Sequence, residues 1–147
     1  MGRIDELIGK SVYLDTNIFV YFLEGMSPFN EAMKKIFQSI ENSDIHAVTS
    51  ELSLAEVLVK PFSDKNDFLI RKYEELFVSK ASFEVLPIKR NVLIEAAKVR
   101  FKNGCKLPDA IHIATALAEK CSYFLTNDKR FGKTSGIQTL LLSEIAK

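Results

Sequence analysis

Short apolar segments alternate along this chain with longer segments whose apolar residues recur at helical spacing. The short segments are apolar and β-prone, which predicts strands; they cover residues 11–14, 46–49, 83–88, 123–126 and 138–142. The longer segments carry apolar residues three or four positions apart, which predicts helices; they cover residues 18–23, 29–40, 50–60, 67–77, 90–102 and 107–120. The alternation, with strands that are apolar throughout, predicts an α/β fold with a parallel sheet covered by helices on both faces.

Glycine and proline mark several of the predicted helix ends. Gly25 and Gly104 each lie two residues after the end of a predicted helix, and glycine is favoured where a helix ends because it tolerates a left-handed backbone. Pro108 suits the first turn of its helix, where its missing N–H has no partner to lose. Pro61 is expected to stop the helix that begins near residue 50, because proline cannot donate to the helical hydrogen-bond ladder.

The composition is that of a soluble globular protein. With 147 residues, 47% hydrophobic and 27% charged, the chain is predicted to form a single domain over residues 1–147. No apolar run approaches the roughly 20 residues of a membrane helix, so we expect a cytoplasmic protein without membrane insertion. Cys105 and Cys121 lack the spacing of zinc ligands and are expected to be reduced core residues. The net charge of +1 leaves any nucleic-acid affinity to local basic patches and metal.

Four carboxylates, in four separate segments, follow an apolar stretch or lie near a helix start: Asp15, Glu56, Asp109 and Asp128. Asp15 and Asp128 follow two predicted strands, and ligands bind outside the carboxyl ends of parallel strands. Clustered carboxylates repel one another, and a divalent cation relieves that repulsion. Because Mg²⁺ and Mn²⁺ prefer oxygen ligands, the pattern predicts metal-assisted hydrolysis of a phosphodiester, with RNA as the substrate.

Each acid also has a purely structural interpretation. Asp15 could cap the helix that follows it, and Ser53-Leu-Ala-Glu56 fits the capping-box pattern. Asp109 could be a favourable charge in a first helical turn, and Asp128 could be an ordinary turn residue. Taken one at a time, the acids do not decide between structure and function.

The acids lie in four longer motifs, which are Tyr-Leu-Asp15-Thr-Asn-Ile, Thr-Ser-Glu-Leu-Ser-Leu-Ala-Glu56-Val-Leu, Leu-Pro-Asp109-Ala-Ile-His-Ile-Ala-Thr-Ala and Phe-Leu-Thr-Asn-Asp128-Lys-Arg-Phe. Together, over nearly the whole chain, they resemble the PIN-domain family and particularly its VapC-like toxin ribonucleases. The resemblance implies a three-layer α/β/α sandwich with a five-stranded parallel sheet. It also implies an Mg²⁺- or Mn²⁺-dependent endoribonuclease with these four acids as its catalytic and metal-binding set, and with Thr16, Asn17 and Thr126 as polar partners at the rim.

Three assignments within these motifs stay open. Glu51 lies five residues before Glu56, and a shifted helix could present it instead, although the Ala-Glu-Val-Leu context favours Glu56. Asn127 could contribute a neutral oxygen to the metal. His112 shares a helix face with Asp109, and we expect it to pack or to support the site, because the family's pattern does not include a catalytic histidine here.

Basic residues flank two of the acids and are candidates to contact an RNA backbone, with a solvated surface as the alternative for each. They are Lys98, Arg100, Lys102 and Lys106 before Asp109, and Lys129, Arg130 and Lys133 after Asp128. The resemblance also implies a small antitoxin protein whose C-terminal segment covers the acidic groove, and a homodimer. Apolar side chains that could serve either contact, or belong to the core instead, are Phe19, Phe22, Phe29 and Phe37.

Two other classes of protein fit the sequence poorly. Aspartate-nucleophile phosphatases carry a second aspartate two positions after the first, where this chain has Asn17. A phospho-receiver domain needs an aspartate after its central strand, where this chain has Lys89 and Arg90. The alternative that remains is a non-catalytic PIN-like module that binds RNA or a protein without cleaving.

Overall fold

The computed structural model describes residues 3–25, 28–78, 82–131 and 136–146, and it contains the predicted parallel sheet flanked by helices. The strands are β1 (Ser11–Leu14), β2 (His46–Ser50), β3 (Glu84–Leu86), β4 (Tyr123–Thr126) and β5 (Gln138–Leu141). The helices are α1 (Thr16–Glu24), α2 (Asn30–Glu41), α3 (Glu51–Ser63), α4 (Asp67–Val78), α5 (Arg90–Asn103), α6 (Leu107–Ala118) and α7 (Leu142–Ile145), with a short 3₁₀ helix at Arg3–Leu7 before β1.

The five strands lie in the order β3-β2-β1-β4-β5, and every neighbouring pair is parallel. The chain builds one half of the sheet from β1 to β3 and then returns to the other side of β1 to add β4 and β5. The strand order therefore reverses between β1 and β4, where Leu14 is paired with Leu125. Ligands bind at such a reversal, outside the carboxyl ends of the strands, so the residues that follow β1 and β4 are favourably placed for a site.

Successive residues of the central strand serve two different cores, because side chains alternate across a strand. Val12 and Leu14 join the larger core, which is formed with α1, α2, α3 and α4. Tyr13 lies in the opposite core, where it stacks on Phe124 with ring centroids 5.2 Å apart and packs near Ile113 of α6. The strand thus brings one hydroxyl group into the layer between the sheet and α6.

Several predicted boundaries are wrong, among them that of the strand predicted over residues 83–88, which spans only Glu84–Leu86 as β3. Helix α3 continues past Lys60 to Ser63, with Pro61 buried inside it. A proline in the last turn removes one N–H from the ladder, and the turn still closes through a hydrogen bond from the Asp64 N–H to the Lys60 carbonyl, 2.9 Å long. At the other end of the chain, Leu142 starts α7 and does not extend β5. Gly25 does end α1 in the left-handed conformation, at a φ of 68°.

The four phenylalanines considered for partner contacts belong to the core. Phe19 and Phe37 are buried, and Phe22 and Phe29 pack against the same cluster while partly buried. Of the two cysteines, both unpaired, Cys121 is buried and Cys105 is half-buried. Within the described ranges, no helix is both long enough and apolar enough to cross a membrane.

Candidate functional site

Asp15 joins the end of β1 to the start of α1 and is only 5% exposed. Its Oδ1 accepts a hydrogen bond from the Thr16 backbone N–H at 2.8 Å, so the carboxylate does cap α1, and its Oδ2 accepts one from the Thr126 hydroxyl at 2.6 Å. Burial raises the pKa of Asp15, although the charge of His112 and these hydrogen bonds act in the opposite direction. A buried carboxylate in this state would be stabilised by a nearby cation.

Glu56 projects from the second turn of α3, and its side chain is 36% exposed. Its Oε1 accepts hydrogen bonds from the Thr16 hydroxyl at 2.7 Å and from His112 Nε2 at 2.5 Å. Burial alone would raise the pKa of Glu56, but the hydrogen bonds from His112 and Thr16, together with the charge of His112, lower it overall. Glu51 is exposed in the first turn of the same helix.

The capping-box interpretation of Glu56 is wrong. Helix α3 is capped by Ser50, whose hydroxyl accepts from the Leu52 N–H at 3.0 Å. Ser53 lies inside the helix, buried, and its hydroxyl is hydrogen-bonded to that of Thr49 at 2.7 Å. Glu56 is therefore free of a helix-start role and faces Thr16 and His112.

His112 is 1% exposed and connects four elements of the fold. Its Nδ1 lies 2.7 Å from the Tyr13 hydroxyl on β1. Its Nε2 contacts Glu56 on α3 and lies 3.2 Å from the Thr16 hydroxyl on α1. The same nitrogen is 4.0 Å from Asp15 Oδ1, so the ring lies between the first two acids and packs as the sequence suggested.

Asp109 lies in the first turn of α6, directly after Pro108, and is half-buried. Burial raises its pKa most, the charges of Asp128 and Glu56 raise it further, and the charges of Arg130 and His112 lower it. Charged groups on α3 and on the segment after β4 therefore act on the pKa of Asp109.

Asp128 follows β4 and is held by Arg130. The Asp128 N–H donates to the Thr126 hydroxyl at 3.0 Å. Arg130 Nε donates to both carboxylate oxygens at 3.0 and 3.1 Å, and Nη2 donates to Oδ2 at 2.6 Å. These hydrogen bonds lower the pKa of Asp128. The Arg130 N–H also donates to Asp128 Oδ1 at 2.9 Å, so the expected turn is present as well.

Asp15, Glu56, Asp109 and Asp128, which we call the acid pocket, form one electrostatic group. Glu56 raises the pKa of both Asp15 and Asp109, and Asp128 raises that of Asp109. Among the described residues, no three His, Cys, Asp or Glu side chains are arranged to enclose a metal ion. Mg²⁺ is commonly held by one or two carboxylates and keeps several waters, so the all-oxygen donor set fits a hard cation. Both oxygens of Asp128 are engaged by Arg130.

The expected rim residues support the acids more than they line an opening. Thr126 is fully buried and lies beneath Asp15, since its hydroxyl bonds that carboxylate. Asn17 Nδ2 is 3.4 Å from Asp15 Oδ2 and 3.3 Å from the Thr126 hydroxyl. Asn127 uses its Oδ1 to accept from the Ser143 N–H at 3.0 Å, so that oxygen ties β4 to the start of α7.

The basic candidates differ in their surroundings. Arg100 donates from Nη1 to the Cys105 carbonyl at 3.0 Å and so holds the loop before α6. Lys98 pairs with Glu95 at 3.1 Å. Lys102, Lys106 and Lys129 are exposed. Lys133 lies outside the described residues.

Sequence reasoning missed Tyr13 and Thr49 as supports of the site. The Thr49 hydroxyl donates to the Leu14 carbonyl at 2.9 Å and so fixes the residue before Asp15. Both residues carry a hydroxyl group within a strand that is otherwise mostly apolar. Because a buried hydroxyl needs a hydrogen-bond partner, such residues could have been recognised from the sequence as candidates to support a site.

Comparison with known proteins gives a family and a shared fold. A model of the PIN domain matches residues 12–137. Among solved structures, the chain is similar to a toxin–antitoxin complex from Klebsiella pneumoniae, at 23% identity and a TM-score of 0.65 over 91% of this chain and 99% of that one. It is similar to VapBC2 from Rickettsia felis bound to a promoter DNA fragment, at 17% identity and a TM-score of 0.67 over 89% and 98% of the two chains. It is also similar to VapBC-5 from Mycobacterium tuberculosis, at 18% identity and a TM-score of 0.59 over 90% and 98%. A search of curated proteins gave no match.

Proposed function

This chain belongs to the PIN-domain family, and from that premise we propose that it is a metal-dependent endoribonuclease that hydrolyses phosphodiester bonds of RNA in the cytoplasm. The family consists generally of nucleases. The observation that carries the proposal is the acid pocket itself, in which carboxylates from four segments influence one another's pKa at the reversal of the strand order. Carboxylates that lie close to one another repel, and a bound cation would relieve that repulsion.

The proposed cofactor is Mg²⁺ or Mn²⁺. Asp15 and Asp109 would hold it chiefly, with Asp128 and Glu56 as ligands either directly or through water. When bound, the ion would polarise the phosphoryl oxygen and lower the pKa of a bound water. Burial is the main cause of the raised pKa values of Asp15 and Asp109, and this supports the assignment because a bound cation would favour the ionised carboxylates.

The chain's own groups would orient the attacking water and the RNA. Glu56 is kept ionised by its lowered pKa, and its hydrogen bonds to Thr16 and His112 both use Oε1. Its Oε2 can therefore accept a hydrogen bond from the water and align it with phosphorus. Asn17 and Thr16 at the start of α1, and the exposed Lys129 and Arg100, would contact the RNA.

Attack by water would leave a 5′-phosphate and a 3′-hydroxyl. A ribonuclease that uses a histidine to activate the 2′-hydroxyl would instead leave a cyclic phosphate. The burial of His112 at 1% exposure supports the first outcome, because the ring cannot reach an RNA 2′-hydroxyl. His46 is exposed but opens β2, at the amino end of the sheet.

The test is cleavage of a mixed, structured RNA with Mn²⁺ by the wild type and by Asp15→Asn and Asp109→Asn. Asp44→Asn is the matched control, because Asp44 is exposed just before β2, at the opposite edge of the sheet. We expect both site variants to lose cleavage and the control to keep it, with 5′-phosphate and 3′-hydroxyl ends on the products. Equal cleavage by all four proteins would reject the proposal.

We further propose that the protein is the toxin of a type II toxin–antitoxin pair, forms a homodimer and binds a small antitoxin protein. The similar solved structures are toxin–antitoxin complexes, which supports this role. Exposed apolar side chains offer surface for such contacts: they include Val59, Phe62, Phe68, Val78, Leu93, Ile94 and Phe101. Co-expression with the neighbouring open reading frame should relieve growth inhibition and yield a complex; unchanged growth and no complex would count against the role.

The second candidate function is a PIN-like module that binds RNA or a protein without cleaving. The hydrogen bonds from Arg130 favour it, because they engage both oxygens of Asp128. This alternative predicts RNA retention without any metal-dependent cleavage in the same assay.

A further inference from the structure

We propose that His112 is a positioning residue that fixes the carboxylate of Glu56 for its task in the acid pocket, an inference that rests on the proposed function. The ring does not reach the surface, since it is 1% exposed. Its effect would therefore pass through Glu56, whose Oε1 lies 2.5 Å from Nε2. The assignment depends on these contacts alone.

The contacts assign a role to each ring nitrogen. An ionised carboxylate can only accept hydrogen bonds, so Nε2 must carry the proton that bonds Glu56. The Nδ1 atom lies 2.7 Å from the Tyr13 hydroxyl, which accepts a hydrogen bond from it when the ring is charged and donates one to it when the ring is neutral. Partners of this kind on both nitrogens fix the tautomer and the plane of a histidine ring.

Tyr13 connects this ring to the central strand of the sheet. It lies on the central strand, fully buried, and stacks on Phe124 of β4 with an interplanar angle of 8°. The hydrogen bonds then run from β1 through His112 to Glu56 on α3. The Thr16 hydroxyl, on α1, donates to the same carboxylate oxygen at 2.7 Å.

A simple packing role does not explain this arrangement. A buried ring that only fills space needs a partner for each polar nitrogen, but nothing requires one partner to be an acid of the pocket. Here Oε1 receives both described hydrogen bonds while the side chain remains 36% exposed. The half-exposed carboxylate is thus held by one oxygen, and the other is left to face a ligand.

The test measures Mn²⁺ affinity by electron paramagnetic resonance, together with RNA cleavage, in His112→Leu and His112→Gln. Leucine fills the space without a donor, whereas the glutamine amide can reach the position of Nε2 and donate to Oε1. Removing partners of metal-ligating groups typically costs 10–100-fold in metal affinity or activity. We expect a loss of about that size for leucine and substantial recovery with glutamine. His46→Leu, at the exposed histidine, is the matched control and should bind as the wild type does.

A double-mutant comparison separates positioning from general destabilisation. If His112 acts through Glu56, then His112→Leu should add nothing to the loss of Mn²⁺ affinity caused by Glu56→Gln. Additive losses would overturn the inference, because they would show that the two residues act independently.

A measurement on the unmutated protein covers the case in which the leucine variant does not fold. The ¹⁵N chemical shifts of the His112 ring report which nitrogens carry protons. A proton on Nε2 supports the inference, and an unprotonated Nε2 overturns it. Tyr13→Phe, which keeps the stacked ring, should weaken Mn²⁺ binding by less than His112→Leu does.

Failure of this inference and failure of the proposed function give different results. If the wild type binds no Mn²⁺ and cleaves no RNA, the proposed function fails and the inference fails with it. If the wild type binds Mn²⁺, Asp15→Asn abolishes binding and His112→Leu leaves it unchanged, the inference alone is overturned.

Discussion

The acid pocket has two halves that hold their carboxylates in different ways. The inner half consists of Asp15 and Glu56, whose oxygens are bonded by groups built into α1, β4 and α6. The outer half consists of Asp109 and Asp128, and Asp128 is bonded by the side chain of Arg130, which is 66% exposed. Each half contains one acid with a raised pKa and one with a lowered pKa.

The difference lies in what supplies the stabilising partner. Hydroxyl, imidazole and backbone donors in the inner half are buried or half-buried and fixed by the fold, so they hold the carboxylates before any ligand arrives. A guanidinium ion in the outer half supplies a charge that salt screens and that a competing cation can displace. We infer that the inner half is preorganised and that the outer half exchanges one cation for another.

Of the three tests of this difference between the halves, Thr126→Val should have the largest effect, because it removes the donor to Asp15 Oδ2. Hydrogen bonds to charged groups are worth about 1.5–3 kcal/mol, so the free energy of unfolding should fall by about 2 kcal/mol. Mn²⁺ affinity should fall about tenfold, as for other partners of metal ligands. Chemical denaturation and Mn²⁺ titration measure the two effects.

The control for this variant is Thr115→Val, at a buried hydroxyl that donates to the Ile111 carbonyl at 2.7 Å. It should reduce stability without changing Mn²⁺ affinity. Equal Mn²⁺ affinities for both variants would show that Asp15 does not depend on Thr126.

Arg130→Gln should have a smaller effect of the opposite sign. Exposed ion pairs are usually weak, so freeing Asp128 should tighten Mn²⁺ binding by no more than about fivefold, and added salt should reduce the difference. Mn²⁺ titrations of the variant and the wild type at low and high salt measure this. Lys129→Gln, at the exposed neighbour, is the control for net charge; weaker Mn²⁺ binding by Arg130→Gln than by Lys129→Gln would contradict the exchange of cations.

The smallest effect is on the pH dependence of the free energy of unfolding. It is measured after a chelator has removed any bound metal ion. Burial raises the pKa of Asp15 from 3.8, so the wild type loses stability as pH rises from 3.8 through the folded-state pKa, and the loss persists above it. Asp15→Asn should lack this loss.

Asp128 should show the opposite pH dependence. The hydrogen bonds from Arg130 lower the pKa of Asp128 from 3.8, so its contribution to stability is present above 3.8 and disappears as pH falls through the folded-state pKa.

Thermal unfolding across this pH range checks both signs. The difference in melting temperature between Asp15→Asn and the wild type should grow as pH rises, and Asp128→Asn should lose its deficit as pH falls. Parallel curves for all three proteins would contradict the assigned pKa directions.

Most of the fold was predictable because its strands and helices carry clear periodicity. The predicted strand at residues 11–14 coincides with β1, and the strands before Asp15 and Asp128 are neighbours in the sheet. The end of α3 was not predictable from Pro61, because packing of a buried proline in the last turn overrides its local preference. Short α7 carries too few residues for a periodic pattern.

The acids could be predicted as a set, but not the way in which each is held. Sequence spacing does not show how side chains from different segments point relative to one another. The contact between Tyr13 and His112 could therefore not be predicted, because it depends on how β1 packs against α6. Arg130 was visible only as a basic neighbour of Asp128, and its bonds to the carboxylate depend on the turn between them. Thr126 was expected at the rim and lies beneath Asp15, because β4 directs its side chain inward.

The most direct test of the account is Mn²⁺ binding to the wild type, Asp15→Asn and Asp109→Asn, measured by electron paramagnetic resonance in the absence of RNA. The acids come from opposite halves of the acid pocket, and a shared ion requires both. We predict that each substitution alone weakens binding by more than about 100-fold, beyond what loss of a supporting partner causes. Binding by either variant as tight as that of the wild type would contradict a shared metal site.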